Sequence, residues 1–428
     1  MRNITVLAVF ATLFTLGQNV NDTLVYMQYN LLNYRNISNF CTASNNNPSD
    51  KEGYMNTIVS HVKPDIIAVN EIVGDGGTAA KRLIDNALNK DGRNYYKQAN
   101  YTGNSNLTNM LYYNKNKLAL HRQDQIDRAL NGTTLVRLID VYELYYVDQS
   151  ELDQGDTTWL VCYVAHLKAS TGSANVTQRA NATEAVMKYH EDNYNANRSY
   201  IFSGDFNMYT SNEQGFINLL GYSNRAVRFK DPINKPGSWN NSGNFSSIHT
   251  QSTRASGSCH SGGGLDDRFD FILCGQELLG NERGMGYVSG SYVAVGNDGQ
   301  RFNGNITDAG NTSVPSNVLN ALYNMSDHLP VTIKITINRT MASITEKLAN
   351  NYLVMTNPIE NQMHWKMQLP IAGILRVMDL HGKEVFTEQV KPSSEWYTTD
   401  VSSWINGVYY ASFTTGDGQV IRRKLMKM

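Results

Sequence analysis

The 428-residue sequence predicts a layered α/β domain followed by a small β-sandwich. Near-continuous apolar runs of strand length alternate with helical stretches, as expected of strands covered on both faces. Successive runs also close on polar residues, and strand ends are where open α/β sheets place their chemistry. Beyond residue 341 the pattern changes to short strands separated by turns such as Asn357-Pro358 and Asn406-Gly407.

The first 18 residues read as a secretory signal peptide. Arg2 precedes the apolar stretch Ile4–Leu16, and Thr15 and Gly17 supply small residues for cleavage. That stretch is too short to span a membrane comfortably, and no later run is long and apolar enough for a transmembrane helix. The mature chain is therefore expected to be soluble and exported. A net charge of −1 and a pI near 6.8 give no global basic field to draw in nucleic acid, although a local groove can still be basic.

Leu24–Leu32 is the first buried strand and carries one amide, Asn30, near its end. A helical segment, Lys51–Val62, stops at Lys63-Pro64, and the strand Asp65–Glu71 follows and ends in a carboxylate. A Glu that closes a strand is usually just a solvated strand end. Two strands in succession ending in metal-compatible oxygens tilt the reading toward function. Residues 78–90 read as helical, and 107–147 as several strands with turns at Asn114–Lys117 and Asn131-Gly132. Trp159–His166 is again a buried strand; a lone His at its end is more often structural than catalytic.

Asn175–His190 forms an amphipathic helix with Ala182, Ala185, Val186 and Tyr189 on one face. It leads into Ser199–Phe202, an apolar run that empties into Ser203-Gly204-Asp205-Phe206-Asn207. Glycine there is expected to let backbone and ligand approach closely. An acid and an amide two residues apart suit a metal-bridged phosphate and an attacking water. Taken alone, the same motif equally describes an Asx-turn that caps a strand.

The stretches 234–247 and 255–264 read as mobile loops, the second a glycine-dense flexible rim that lacks P-loop spacing. His249, Arg254 and His260 lie there and are expected to be solvated, with Arg254 kept as a substrate contact. Asp270 sits among apolar residues in Arg268–Leu273, and a buried carboxylate requires a partner. The partner expected is His328, in Ser326–Pro330 just before the alternating strand Val331–Ile337. An Asp bonded to one imidazole nitrogen fixes the tautomer and frees the other nitrogen for acid–base work. Four cysteines allow three pairings. Cys162 reads as a buried thiol inside its strand, and Cys259 with Cys274 as the best-placed bridge.

Taken in order, Asn30, Glu71, His166, Gly204-Asp205-Phe206-Asn207, Arg268-Phe269-Asp270 and Ser326-Asp327-His328-Leu329-Pro330 form a series. That series resembles the endonuclease/exonuclease/phosphatase family across roughly residues 20–338. The resemblance implies a four-layer α/β/β/α sandwich of the deoxyribonuclease I-like kind. It implies metal-site positions at Asn30 and Glu71, with Asp327 beside a metal or the phosphate. By the same resemblance Asp205 and Asn207 orient water and phosphate, and His166 contacts phosphate or acts as general acid. Asp270 and His328 correspond to the family's Asp–His pair. The C-terminal segment resembles the sorting domain of type IX secretion substrates, in its Asn-Pro opening, its strand Gly407–Tyr410 and its basic end. The expected organisation is a signal peptide at 1–18, a catalytic domain at 19–338, a linker near 338–348 and a sorting β-sandwich at 349–428.

The expected activity is divalent-metal-dependent phosphodiester hydrolysis by an exported enzyme, with nucleic acid the first choice of substrate. Sphingomyelinase-like or inositol- and sugar-phosphate activity is the enzymatic alternative, and a secreted binding protein on an inactive scaffold the non-enzymatic one. Oxygen and amide ligands without cysteine favour Mg²⁺, Mn²⁺ or Ca²⁺ over zinc. The expected partners are the phosphodiester substrate and the outer-membrane secretion machinery, and the chain is expected to act as a monomer.

Overall fold

The computed structural model describes residues 20–103, 105–148, 152, 157–339, 353–368, 370–416 and 420–428. The signal peptide expected at 1–18 and most of the expected linker lie outside the described residues. The chain divides into two compact units, one of residues 21–338 and a second that includes 339–428.

In chain order the first unit runs β1 (Val20–Tyr34), α1 (Pro48–Val62), β2 (Ile66–Val73), α2 (Thr78–Leu83), β3 (Tyr96–Gln98), β4 (Leu107–Asn114), β5 (Leu118–Arg128), β6 (Thr134–Tyr146) and β7 (Trp159–His166). It continues with α3 (Ser173–Asp192), β8 (Arg198–Asp205), α4 (Gln214–Gly221), β9 (Asp270–Cys274), α5 (Gln276–Leu279), β10 (Met285–Tyr287), β11 (Val293–Ala294), α6 (Ser316–Met325) and β12 (Val331–Arg339). Helix α1 starts three residues before its apolar pattern does. Asn47 accepts the Ser49 and Asp50 amides, and Pro48 fits the first turn, where its missing N–H costs nothing.

One sheet has the order β10-β12-β1-β2-β4-β3, with β11 beside β12; the other has the order β5-β6-β7-β8-β9. Alternation along the strands shows how the two are stacked. Leu160, Cys162 and Val164 of β7 join the core that contains β1, β2 and β4, so they face the first sheet. Val161, Tyr163 and Ala165 point the other way, onto Ala182, Ala185 and Val186 of α3 and Phe216 of α4. Met55 and Ile58 of α1, with Leu319 and Leu322 of α6, cover the outer side of the first sheet. The result is a four-layer α/β/β/α sandwich.

The seam between the sheets is not purely apolar. Tyr26 bonds Ser203 across it at 2.7 Å, and Gln28 donates to Asn70 at 2.5 Å. Asn70 donates in turn to Asn109 at 2.7 Å, and Asn109 to Asp140 at 3.1 Å. Each buried amide therefore has partners, which its burial demands.

Strand register brings the polar ends together. The parallel pair β1–β2 sets Asn30 opposite Asn70, one residue before Glu71. In the second sheet β7 runs parallel to β8 with His166 opposite Asp205, and β9 runs antiparallel with Asp270 opposite Asp205. The ends of β7 and β8 and the start of β9 thus meet in register. Gly204 is needed for this, though the ligand is not the reason: at φ 151°, a Cβ would lie 1.8 Å from the Ala165 carbonyl oxygen. It is the close approach of β7 that excludes a side chain.

The second unit contains β13 (Leu353–Met355), β14 (Gln362–Met367), β15 (Gly373–Asp379), β16 (Glu384–Val390), β17 (Tyr397–Asp400), β18 (Gly407–Thr415) and β19 (Val420–Lys427). They form sheets of order β13-β14-β17 and β16-β15-β18-β19. Met363, Trp365 and Met367 of the first pack with Leu375, Val377 and Phe413 of the second in one core, which makes a small β-sandwich.

Candidate active site

Asp205 is the focus of the polar strand ends. Its Oδ2 accepts the Asn30 amide at 3.0 Å and lies 3.5 Å from His166 Nε2 and 3.7 Å from His328 Nε2. Its Oδ1 accepts the Asn207 backbone N–H at 3.0 Å, so the Asx-turn is present as well. Glu71 stands beside it, held by Asn30 Nδ2 at 3.1 Å and by the Asn33 backbone N–H at 2.7 Å. One ligand atom each from Glu71, His166 and Asp205 lies within 4.8 Å of the others. Two carboxylates and an imidazole nitrogen at that spacing fit a divalent cation, whose charge would offset the repulsion of the acids.

The backbone is bent to make this cluster. Leu32, Asn33, Glu71 and Asn207 all have left-handed φ angles, of 43°, 48°, 63° and 51°. Non-glycine residues there cost on the order of 1–3 kcal/mol each. The β1–β2 register also shifts between Asn30 and Tyr34, a bulge that re-aims the strand ends.

Asp270 is fully buried and its Oδ2 accepts His328 Nδ1–H at 2.7 Å, the contact expected of that pair. Burial opposes charge on His328, but Asp270 and Asp205 outweigh it and hold the ring well above the ordinary imidazole value. Gln251 Nε2 lies 2.7 Å from His328 Nε2; it donates to the neutral ring, and its amide must turn its oxygen inward when the ring carries both protons. Burial pushes Asp205 up to about 7 against the pull of His328, with Asp270 and Glu71 adding to the rise. Burial, then the Arg137 and His328 charges, hold His166 well below its ordinary value. The cluster therefore pairs a charged imidazole and a neutral one around one high-pKa carboxylate.

The structure brings Asn30, Glu71, His166, Asp205, Asn207, Asp270 and His328 into one cluster. Asn30 turns its amide N–H to both acids and its oxygen to the Leu32 N–H, so a flip of its amide is needed to offer oxygen. Asp327 stands apart from the Glu71–His166–Asp205 group. Its Oδ2 accepts Ser261 N–H at 2.9 Å and the Gln251 amide at 3.4 Å. Arg254 is spent elsewhere: it bonds the Tyr323 carbonyl and Asn324 near the end of α6, and its guanidinium lies 4.1 Å from the Tyr323 ring centroid. Three further residues carry no local sequence signal, namely Asn33, Gln251 and Arg137.

Three expectations are overturned here. The bridge joins Cys41 to Cys259, while Cys162 and Cys274 are buried free thiols. Cys274 ends β9 inside the core, so it cannot turn outward to a loop. The 255–264 loop is accordingly pinned, by that bridge and by the Ser261 bond to Asp327. His249 and His260, expected in solvent, are 0% and 5% exposed. His249 lies between the Trp239 and Leu265 carbonyls, at 3.0 Å from Nε2 and 3.3 Å from Nδ1, and the ring nitrogen that carries the proton donates to its carbonyl.

The first unit is the layered α/β/β/α sandwich that the sequence resemblance implies. Residues 354–428 match the family model of the secretion system C-terminal sorting domain. No curated protein matches the chain. An endonuclease/exonuclease/phosphatase from Beutenbergia cavernae is similar at 12% identity and a TM-score of 0.43, over 94% of this chain and 99% of that one. The human Nocturnin catalytic domain with bound sulfate is similar at 12% and 0.43, over 74% and 97%. A family protein from Bacteroides thetaiotaomicron is similar at 14% and 0.41, over 74% and 99%. The C-terminal match supports export to the cell surface or beyond.

Proposed function

We propose that the chain is an exported phosphodiesterase that depends on a divalent cation and acts first on nucleic acid. The observation that carries this reading is the surroundings of Asp205 Oδ2, with one amide and two imidazole nitrogens within 3.0–3.7 Å and Glu71 alongside. A binding scaffold has no use for a buried Asp–His pair aimed at a second buried acid.

Of the Glu71–His166–Asp205 group, Glu71 would be the one to hold the cation, joined by Asn30 once its amide is flipped, which leaves Asp205 and His166 for water and phosphate; the cation when bound supplies charge stabilisation for the phosphate oxygens. Asp205, with its pKa near neutrality, is suited to orient a water and accept its proton. Asn207 is placed to fix that carboxylate through its backbone N–H. His328, charged and held by Asp270, offers an Nε2–H to a phosphoryl oxygen. His166, neutral and buried beside both acids, can donate a hydrogen bond to the phosphate without adding charge.

The test is an assay of the purified chain with Mg²⁺ or Mn²⁺ against DNA, RNA, sphingomyelin and inositol phosphates. Hydrolysis of nucleic acid supports the reading. A chain inert on every substrate, yet able to bind a surface ligand, would point to an inactive scaffold.

A further inference from the structure

Beside the catalytic cluster lies a cavity of about 240 Å³, bounded by the β5–β6 turn, the segment after β7 and the face of α3. His166 is part of its wall, so the cavity opens next to the reacting centre. Two cations line it. Arg137 Nη1 reaches the His166 and Leu167 carbonyls at 3.5 and 3.3 Å, and burial lowers its pKa while Glu71 and Asp205 raise it. Lys168 bonds the carbonyl of Ala169 at 3.3 Å. Among the described residues neither cation forms an ion pair with an acid, although Arg137 feels the charges of Glu71 and Asp205. The remaining wall is mostly apolar, at Leu135, Leu167 and Ala182, with Thr133, Thr134 and the Gln178 and Asn181 amides also lining it.

A guanidinium and an ammonium without acidic partners among the described residues, set against a mostly apolar wall with two amides, match a particular ligand chemistry. The cations call for an anion, and Arg in particular for a phosphate. The apolar wall calls for a flat, weakly polar body, and the amides for a hydrogen-bonding edge. A phosphocholine headgroup would bring its own cation against Arg137 and Lys168. An inositol phosphate carries hydroxyls all round its ring, and those facing Leu135 and Ala182 would be left without partners.

The geometry points to a nucleotide subsite: a base lies against Leu135, Leu167 and Ala182, and the phosphate flanking the scissile one is held by Arg137 and Lys168. This rests on the phosphodiesterase reading of the neighbouring cluster and narrows its substrate to nucleic acid. Binding energy from a group that does not react would position the scissile phosphate at Asp205.

The experiment compares kcat/KM for a single-stranded hexanucleotide with that for bis(p-nitrophenyl) phosphate, which has neither base nor flanking phosphate. Arg137→Gln, Lys168→Gln and the cavity-filling Ala182→Trp should each lower the hexanucleotide-to-nitrophenyl ratio by about tenfold or more, as loss of one charge-assisted phosphate contact would. The loss should lie mainly in KM, and Lys168→Arg should restore most of it. Because each variant is read as a ratio, partial misfolding cancels. A ratio that stays within about twofold of wild type in Arg137→Gln and Ala182→Trp overturns the subsite. Wild type that cleaves the nitrophenyl ester but no oligonucleotide overturns the subsite and leaves the phosphodiesterase reading intact. Wild type inert on both overturns the two together.

Discussion

Asp270→Asn is the substitution that best separates a catalyst from a scaffold. The side chain is fully buried, its Oδ2 lies 2.7 Å from His328 Nδ1, and its Oδ1 has no partner. Asparagine keeps the shape but removes the charge that supports a second proton on the imidazole. Breaking one side of a buried ion pair costs about 3–5 kcal/mol. Spent in the transition state, that is a loss on the order of 10²–10⁴ in kcat. The fold should survive, because the β8–β9 pairing at Asp205–Asp270 uses backbone groups. Steady-state rates at saturating cation should be measured for Asp270→Asn, His328→Ala and the double variant, with circular dichroism as the folding control. Since the two side chains act as one unit, the double variant should be scarcely slower than His328→Ala. Losses that multiply would show that the residues work independently, and the pairing argument would be wrong.

Other outcomes follow from the same geometry. Activity should vanish in EDTA and return with Mg²⁺ or Mn²⁺, and Glu71→Gln should cut kcat on the order of 10²-fold or more; full turnover in EDTA contradicts the cation's role. A chain ending at Asn338 should fold and hydrolyse substrate yet stay with the cells when expressed in a host with the export machinery; an insoluble product would make the second unit structural. Burial holds His190 at about 3 rather than 6.5, so the unfolded chain takes up a proton first as the pH falls. Stability should then drop by about 1.4 kcal/mol per pH unit between 6.5 and 3, with no contribution above 6.5. His190→Phe should flatten that slope in urea titrations, and an unchanged slope would assign acid sensitivity elsewhere. Reduction of the Cys41–Cys259 bridge should lower activity well before it lowers far-UV helicity; coincident loss would make the bridge a general staple.

The central strands of the first unit were legible because they are covered on both faces, and coverage writes an uninterrupted apolar run such as Leu160–Ala165. Their ends were legible for the same reason, since a polar residue at the close of such a run stands out. What could not be read comes from contacts between distant segments. Gln251 meets His328 across 77 residues, and nothing near Gln251 announces it. Arg137 lies in a strand whose neighbours are unremarkable, and its importance arises from the fold bringing β7 alongside. Lys51 looks like a solvated helix residue but is buried, bonding the Leu32 carbonyl and Asn46 at 2.6 Å each. The glycine-rich loop misled because glycine signals freedom only where nothing else restrains the chain. A bridge spanning 218 residues is such a restraint.

That bridge stands between two walls of the cluster. On one side, Asn33 holds Glu71 through its backbone N–H and reaches toward Cys41; on the other, Ser261 follows Cys259 by two residues and holds Asp327. Closing so long a loop removes about 5 kcal/mol of freedom from the unfolded chain, and it does so only where thiols are oxidised. A chain still in a reducing cytosol would carry two loose flaps where the oxidised chain has two segments tied together beside the cluster. Maturation is thereby tied to departure, and under the proposed activity the producing cell is spared a competent copy among its own nucleic acids.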